Sequence, residues 1–139
     1  MSNGSGAGAS AATLTGPRLV AAVTGGARRL GRHLGLSLAS RGYDIVCLYR
    51  TSDEDARVLV EQVLATGGRA RAIKVDVSVQ AEVAAAFSDI GGREGRVDLL
   101  VNNVGNYNPQ DVTALDPSVW DATIGANVNS AIMLQPKRF

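Results

Sequence analysis

The sequence predicts an α/β domain built on a doubly wound parallel sheet, and three observations carry that prediction. From Arg18 onward, short apolar runs at residues 19–24, 44–49, 70–75 and 97–102 alternate with longer stretches of helical periodicity, the signature of successive βαβ units. The runs are more continuously apolar than alternating, as strands are when helices cover both faces of a sheet. Glycines follow the first three helical stretches, where left-handed residues end helices.

The elements follow in order. After the first strand, Leu30, Leu34 and Leu38 recur at i, i+4 and i+8 and place one inward leucine stripe on a helix that Gly42 ends. Gly31 and Gly35, one turn apart on the same helix, would let it pack closely on the sheet. Ser52 or Asp53 caps a second helix carrying Leu59, Val63 and Leu64, which stops at Gly67 and Gly68. Ser78 caps a third, with Val83, Phe87 and Ile90 inward and Gly91 and Gly92 after it. Asp116 as cap and Pro117 as first helical residue open a fourth, running through Trp120, Ile124 and Val128. Four strands in the order 3-2-1-4 are expected, with the sheet truncated there.

Composition sets limits on function. The chain has 139 residues, 45% hydrophobic and 19% charged, enough for one domain with a single core. Residues 1–17 are mostly Ser, Gly, Ala and Thr, too poor in apolar area to offset the entropy of ordering them, and are expected to form a flexible tail before the domain at 18–139. A formal net charge of +1 leaves no electrostatic footprint for nucleic acid or an anionic membrane. One cysteine, Cys47, excludes an intramolecular disulfide, and no run reaches the roughly 18 apolar residues that would span a bilayer. A cytoplasmic location is expected. No metal site is expected either, and His33 lies off the leucine stripe as a surface residue.

The segment Thr24-Gly25-Gly26-Ala27-Arg28-Arg29-Leu30-Gly31 joins a predicted strand to a predicted helix, the context a dinucleotide phosphate loop requires. Glycines there permit backbone conformations closed to other residues and a close approach to a pyrophosphate, while the helix N-terminus presents unpaired N–H groups. These residues resemble the Thr-Gly-x-x-x-Gly-x-Gly fingerprint of the short-chain dehydrogenase/reductase family, matching at Thr24, Gly25 and Gly31 but with Arg29 in the middle glycine's slot. Arg followed by Leu-Gly resembles the variant of pteridine reductases and other NADPH-dependent members. The resemblance implies a Rossmann-type fold and hydride transfer to or from a carbonyl or imine.

Arg29 has a readable chemistry of its own. A guanidinium at the mouth of a phosphate loop suits a second anion, and NADP carries one more than NAD, the 2′-phosphate. NAD-selective sites place an acid at the end of the second strand. This sequence reads Tyr49-Arg50-Thr51-Ser52 there, with no acid before Asp53. NADP is therefore the expected cofactor, with Arg29 and Arg50 as charge partners and Thr51 and Ser52 as hydroxyl donors; the competing assignment makes Arg50 a solvated loop charge.

Further motifs extend the resemblance. It implies that Asp76 bonds the adenine amino group and Val77 supplies a backbone contact, although Asp76 could equally close a local turn. Asn102-Asn103-Val104-Gly105 is close to the family's Asn-Asn-Ala-Gly, which shapes the adenine–ribose pocket and ties the central strands. Asn127 matches the helix asparagine that holds a water in the family's proton relay, the one catalytic position the match reaches. The family's Ser and Tyr-x-x-x-Lys are not found: the lysines are Lys74 and Lys137, and Ala70 and Met133 stand four residues before them. Relatives are usually homo-oligomers acting on small molecules. Three expectations follow: an NADP(H)-dependent oxidoreductase inactive as this chain alone, a non-catalytic NADP-binding module, or an inactive fragment.

Overall fold

The computed structural model describes residues 18–105, 116–118 and 121. Strand β1 (Val20–Thr24) leads into helix α1 (Arg29–Ser40), β2 (Asp44–Tyr49) into α2 (Asp53–Ala65), and β3 (Ala70–Lys74) into α3 (Gln80–Arg93) before β4 (Leu99–Val101). The strands form one parallel sheet in the order β3-β2-β1-β4, as expected. β1 is buried along its whole length because it has a strand on each side and helices above and below.

Side-chain alternation divides the core between the two faces. Val46 and Leu48 of β2 join Val20, Ala22, Val83, Ala86 and Ile90 in one cluster, while Cys47 joins Ala27, Ala56, Leu59 and Val63 in the other. Neighbouring residues of one strand thus feed opposite layers, as the period-2 pleat dictates. Burial pushes the Cys47 thiol up to about 12, so it serves as a small apolar residue and not as a nucleophile.

Several local expectations are corrected. The leucine stripe does not form the buried face of α1: Gly31 and Gly35 do, and Leu30 is 61% exposed. Without side chains on that face, backbone lies against the sheet and the leucines flank the contact, leaving Leu34 and Leu38 half-buried. Leu64 is also exposed, since Leu59 and Val63 already fill the inner face of α2. Val79, not Ser78, is the N-cap of α3, and that helix runs through Gly91 and Gly92 to Arg93. Asp116 does accept hydrogen bonds from the Ser118 N–H and Oγ at 2.7 Å each, consistent with a cap. Trp120, Ile124, Val128 and the tail lie outside the described residues.

Candidate functional site

Two adjoining clefts open at the carboxyl ends of the strands. One, of about 370 Å³, is lined by Gly25, Tyr49, Arg50, Val75, Asp76, Val77, Ser78, Val104 and Gly105. The other, of about 360 Å³, is lined by Gly25, Arg28, Arg29, Leu30, Asn103, Val104 and Gly105. Gly25, Val104 and Gly105 belong to both. Thirteen residues from four separate segments are brought together because parallel strands all end on the same side, which is where open α/β sheets hold ligands.

The floor is a cradle of glycine backbone. Gly25 has φ +60°, a left-handed conformation that disfavours any side chain. A Cβ on Gly31 would lie 2.2 Å from the Gly25 carbonyl oxygen and 2.6 Å from Asn103 Nδ2. That position is closed to every other residue type unless the loop moves. No side chain caps α1, and its first turn contains no acid, so its leading N–H groups remain available to an anion.

Thr24 and Asn103 hold the cradle together. Thr24 is fully buried; its Oγ1 donates to the Val101 carbonyl at 3.3 Å and accepts from the N–H groups of Asn103 and Val104 at 3.0 and 3.3 Å. Asn103 Nδ2 donates to the Gly25 carbonyl at 3.3 Å. These bonds tie the loop after β1 to the segment after β4, giving Thr24 and Asn103 a positioning role. Asn102 is exposed, and Val104 and Gly105 form a wall shared by the clefts.

The cations at the mouth fall into two kinds. Arg28 Nε is held 3.1 Å from Asp55 of α2. Among the described residues, no carboxylate lies within 4 Å of Arg29 or Arg50. Arg29 also has φ +50° and is the one non-glycine residue with positive φ among those described. Such backbone costs a side-chain-bearing residue about 1–2 kcal/mol. The loop thus keeps a glycine-like conformation while carrying a guanidinium.

Thr51 is exposed and Ser52 is the N-cap of α2 without a side-chain bond to it, so both hydroxyls are free of helix capping. Asp76 Oδ1 accepts from the Ser78 N–H at 3.0 Å and from Ser78 Oγ at 2.6 Å, and the Asp76 N–H donates to Glu82 at 2.6 Å. The Ser78 hydroxyl, then its N–H, and the charge of Arg50 hold the Asp76 carboxyl below its usual range. Asp76 therefore closes a local turn while still lining the larger cleft beside Val77. Asn127 lies outside the described residues.

Sequence reasoning passed over two residues at this mouth, Lys74 and Asp55. Lys74 Nζ lies 3.3 Å from Asp53, which also accepts the Tyr49 hydroxyl at 3.0 Å. What brings Lys74 here is register: the β2–β3 pairing sets Tyr49 beside Lys74, a tertiary fact that the bounds of the apolar runs, the third ending at Val75, do not give. Among the described residues, no three His, Cys, Asp or Glu side chains are grouped to hold a metal, His33 is exposed, and no helix is long and apolar enough to cross a membrane.

Comparison with known proteins agrees with this geometry. The chain is 34% identical over 108 residues to the 3-oxoacyl-[acyl-carrier-protein] reductase FabG of Staphylococcus aureus, covering 78% of this chain and 44% of that protein. It superposes on a short chain dehydrogenase from Burkholderia cenocepacia in complex with NADP with a TM-score of 0.77 at 34% identity, covering 82% of this chain and 46% of the other. A blue fluorescent protein from a metagenomic library, in complex with NADPH, gives a TM-score of 0.79 at 34% identity, covering 84% of this chain and 48% of the other. The chain thus spans less than half the length of these relatives. The family model for short chain dehydrogenase matches residues 19–137, and the chain belongs to that oxidoreductase family.

Proposed function

We propose that this chain binds NADP(H) across the carboxyl ends of its strands and forms the cofactor-binding half of a reductase or dehydrogenase. The observation that carries the reading is a pair of guanidiniums, Arg29 and Arg50, with no carboxylate partner among the described residues, at the rim of a glycine cradle. The cradle suits a pyrophosphate: Gly31 leaves room where a Cβ would collide, Gly25 takes a left-handed φ that side chains disfavour, and the uncapped start of α1 faces it with N–H groups. Arg29 and Arg50 would pair with the 2′-phosphate, Thr51 and Ser52 would donate to it, and Asp76, Val77, Val104 and Gly105 would surround the adenosine. Bound NADPH would supply the hydride for a carbonyl or imine substrate.

In that activity Asn127 would hold a water for proton delivery. The 139 residues contain no Tyr-x-x-x-Lys pair to act as the acid, which favours a second reading in which this chain binds cofactor without turning it over. Calorimetric titration separates cofactor choice from turnover. The chain should bind NADP in preference to NAD, and Arg50→Ala should weaken NADP by about ten- to a hundredfold, the worth of one charge-assisted hydrogen bond. NAD affinity should be nearly unchanged; equal losses for both cofactors would refute the assignment.

A further inference from the structure

Three acids, Asp53, Glu54 and Asp55, occupy the first turn of α2, directly after Arg50, Thr51 and Ser52. The helix accounts for their presence, since carboxylates are favoured at a helix N-terminus. They also concentrate negative charge beside the cleft that is read above as receiving a 2′-phosphate. Each acid meets a cation from a different part of the chain. Glu54 pairs with Arg57 in its own helix, Asp55 with Arg28 at the cap of α1, and Asp53 with Lys74 at the end of β3.

Asp55 is tied to Arg28 in the smaller cleft, and Asp53 is tied directly to a side chain of the cleft that holds Arg50. Asp53 Oδ1 accepts the Tyr49 hydroxyl at 3.0 Å and lies 3.3 Å from Lys74 Nζ, and Tyr49 precedes Arg50 on the cleft wall. Pairing of Tyr49 with Lys74 in the β2–β3 register brings the ammonium to this position. Without it, Asp53 would be an unmatched carboxylate three residues from Arg50. Such an acid repels a phosphate and accepts hydrogen bonds from ribose hydroxyls. Resting on the NADP reading, we propose that Lys74 is a specificity-determining residue: by neutralising Asp53 beside Tyr49 it keeps the mouth selective for NADP over NAD. Lys74 acts through Asp53 and so positions charge without being part of the phosphate contact itself.

The test is calorimetric titration of NADP and of NAD into the full 139-residue chain and its variants Lys74→Met, Lys74→Arg and Lys74→Met/Asp53→Asn. Lys74 and Asp53 are exposed, so none of these changes disturbs the core. In Lys74→Met the NADP:NAD affinity ratio should fall about two- to fivefold at low salt, the scale of an exposed charge pair. The fall should come from weaker NADP binding and shrink at high salt. Lys74→Arg should keep the parent ratio, and the double variant should recover it because the unmatched carboxylate is gone. An unchanged ratio in Lys74→Met, or equal weakening of both cofactors, would overturn the proposal while leaving the NADP reading intact. A parent chain with no preference for NADP would overturn the reading itself, and this inference with it, before any variant is compared.

Discussion

At the amino ends of the strands, Arg18 pairs with Asp44, Arg96 with Asp98, and Arg71 with both Glu94 and Asp89; at the carboxyl ends, Arg29 and Arg50 have no such partner among the described residues. The amino-end groove is the larger, about 550 Å³ against 370 and 360 Å³, and Arg18, Arg69, Arg71, Arg93 and Arg96 all line it. Size and arginine content would therefore select the wrong end. The distinction lies in counter-charge and backbone. Amino-end guanidiniums are matched by carboxylates: Arg18 and Arg69 by Asp44 of β2, Arg71 by Asp89 and Glu94 at the end of α3, and Arg96 by Asp98, which also accepts the Val20 N–H at 2.7 Å. At the carboxyl end Arg28 is held by Asp55, but among the described residues Arg29 and Arg50 stand unmatched beside the glycine cradle, so an arriving anion need not displace a described partner of either.

The largest expected effect breaks the carboxyl end alone. In Gly31→Ala the new methyl group would sit 2.2 Å from the Gly25 carbonyl oxygen, a backbone atom that cannot rotate away. Denaturant unfolding should show a loss of about 3 kcal/mol, together with loss of cofactor binding. Gly35→Ala is the control on the same buried face. Its methyl group would meet Ile45 and Leu59 at 3.8 Å, ordinary contact, so it should be neutral or stabilise by up to ~1 kcal/mol through helix propensity. Similar losses at both positions would mean that close helix packing in general, and not the cradle, demands glycine.

That contrast also marks how far the sequence was legible. Apolar runs and helix periods depend on local spacing, so the four strands, three helices and sheet order could be read before any contact was known. The cradle was legible for the same reason, since Gly25, Arg29 and Gly31 lie within one seven-residue stretch. The face of α1 was half legible: Gly31 and Gly35 bring backbone to the sheet as their spacing predicts, but the leucine stripe signals burial only when side chains make the contact, and here it flanks the glycines. Lys74 was overlooked because its meaning depends on the β2–β3 register, and Asp55 because its partner Arg28 lies at the cap of a different helix. Charge matching is a tertiary property, and a list of arginines does not reveal which are already neutralised.

The amino-end clamp can be broken separately. Arg71 is three-quarters buried and bonds Glu94 through two nitrogens at 2.6 and 2.8 Å and Asp89 at 2.7 Å. Arg71→Ala should cost about 2 kcal/mol of stability at neutral pH and leave the preference between NADP and NAD unchanged. Acid gives a second readout. The guanidinium of Arg71 holds Asp89 below the usual carboxylate range, and that of Arg96, followed by the Val20 N–H, does the same for Asp98. An unfolded Asp titrates near about 3.9, so as pH falls through that value the unfolded chain takes up protons first. The clamp's stabilisation is then full above about pH 4 and lost below it. Melting temperatures of Arg71→Ala should fall less steeply over that range than those of the parent, because Asp89 loses its main partner and keeps only Arg93. A shift in cofactor preference would show that the two ends are coupled.

The smallest expected effect is also the one in which stability and binding move in opposite directions. Arg29 holds φ +50°, a conformation that glycine adopts freely and that costs other residues about 1–2 kcal/mol. Arg29→Gly removes that cost, while the freer unfolded chain takes back about 0.4–1 kcal/mol. The net gain should lie between about 0 and 1.6 kcal/mol, read from denaturant midpoints. The same change deletes a cation from the cleft mouth, so NADP binding should weaken about tenfold or more while NAD binding holds. A merely structural arginine would behave otherwise: its loss would lower stability and weaken both cofactors together, because the loop would lose a contact that shapes it. A stabilised variant with weakened NADP affinity would show that the strain at position 29 is sustained by what the guanidinium does for the ligand. A destabilised variant with both affinities reduced would instead place Arg29 with Arg71, among the arginines that hold the fold together.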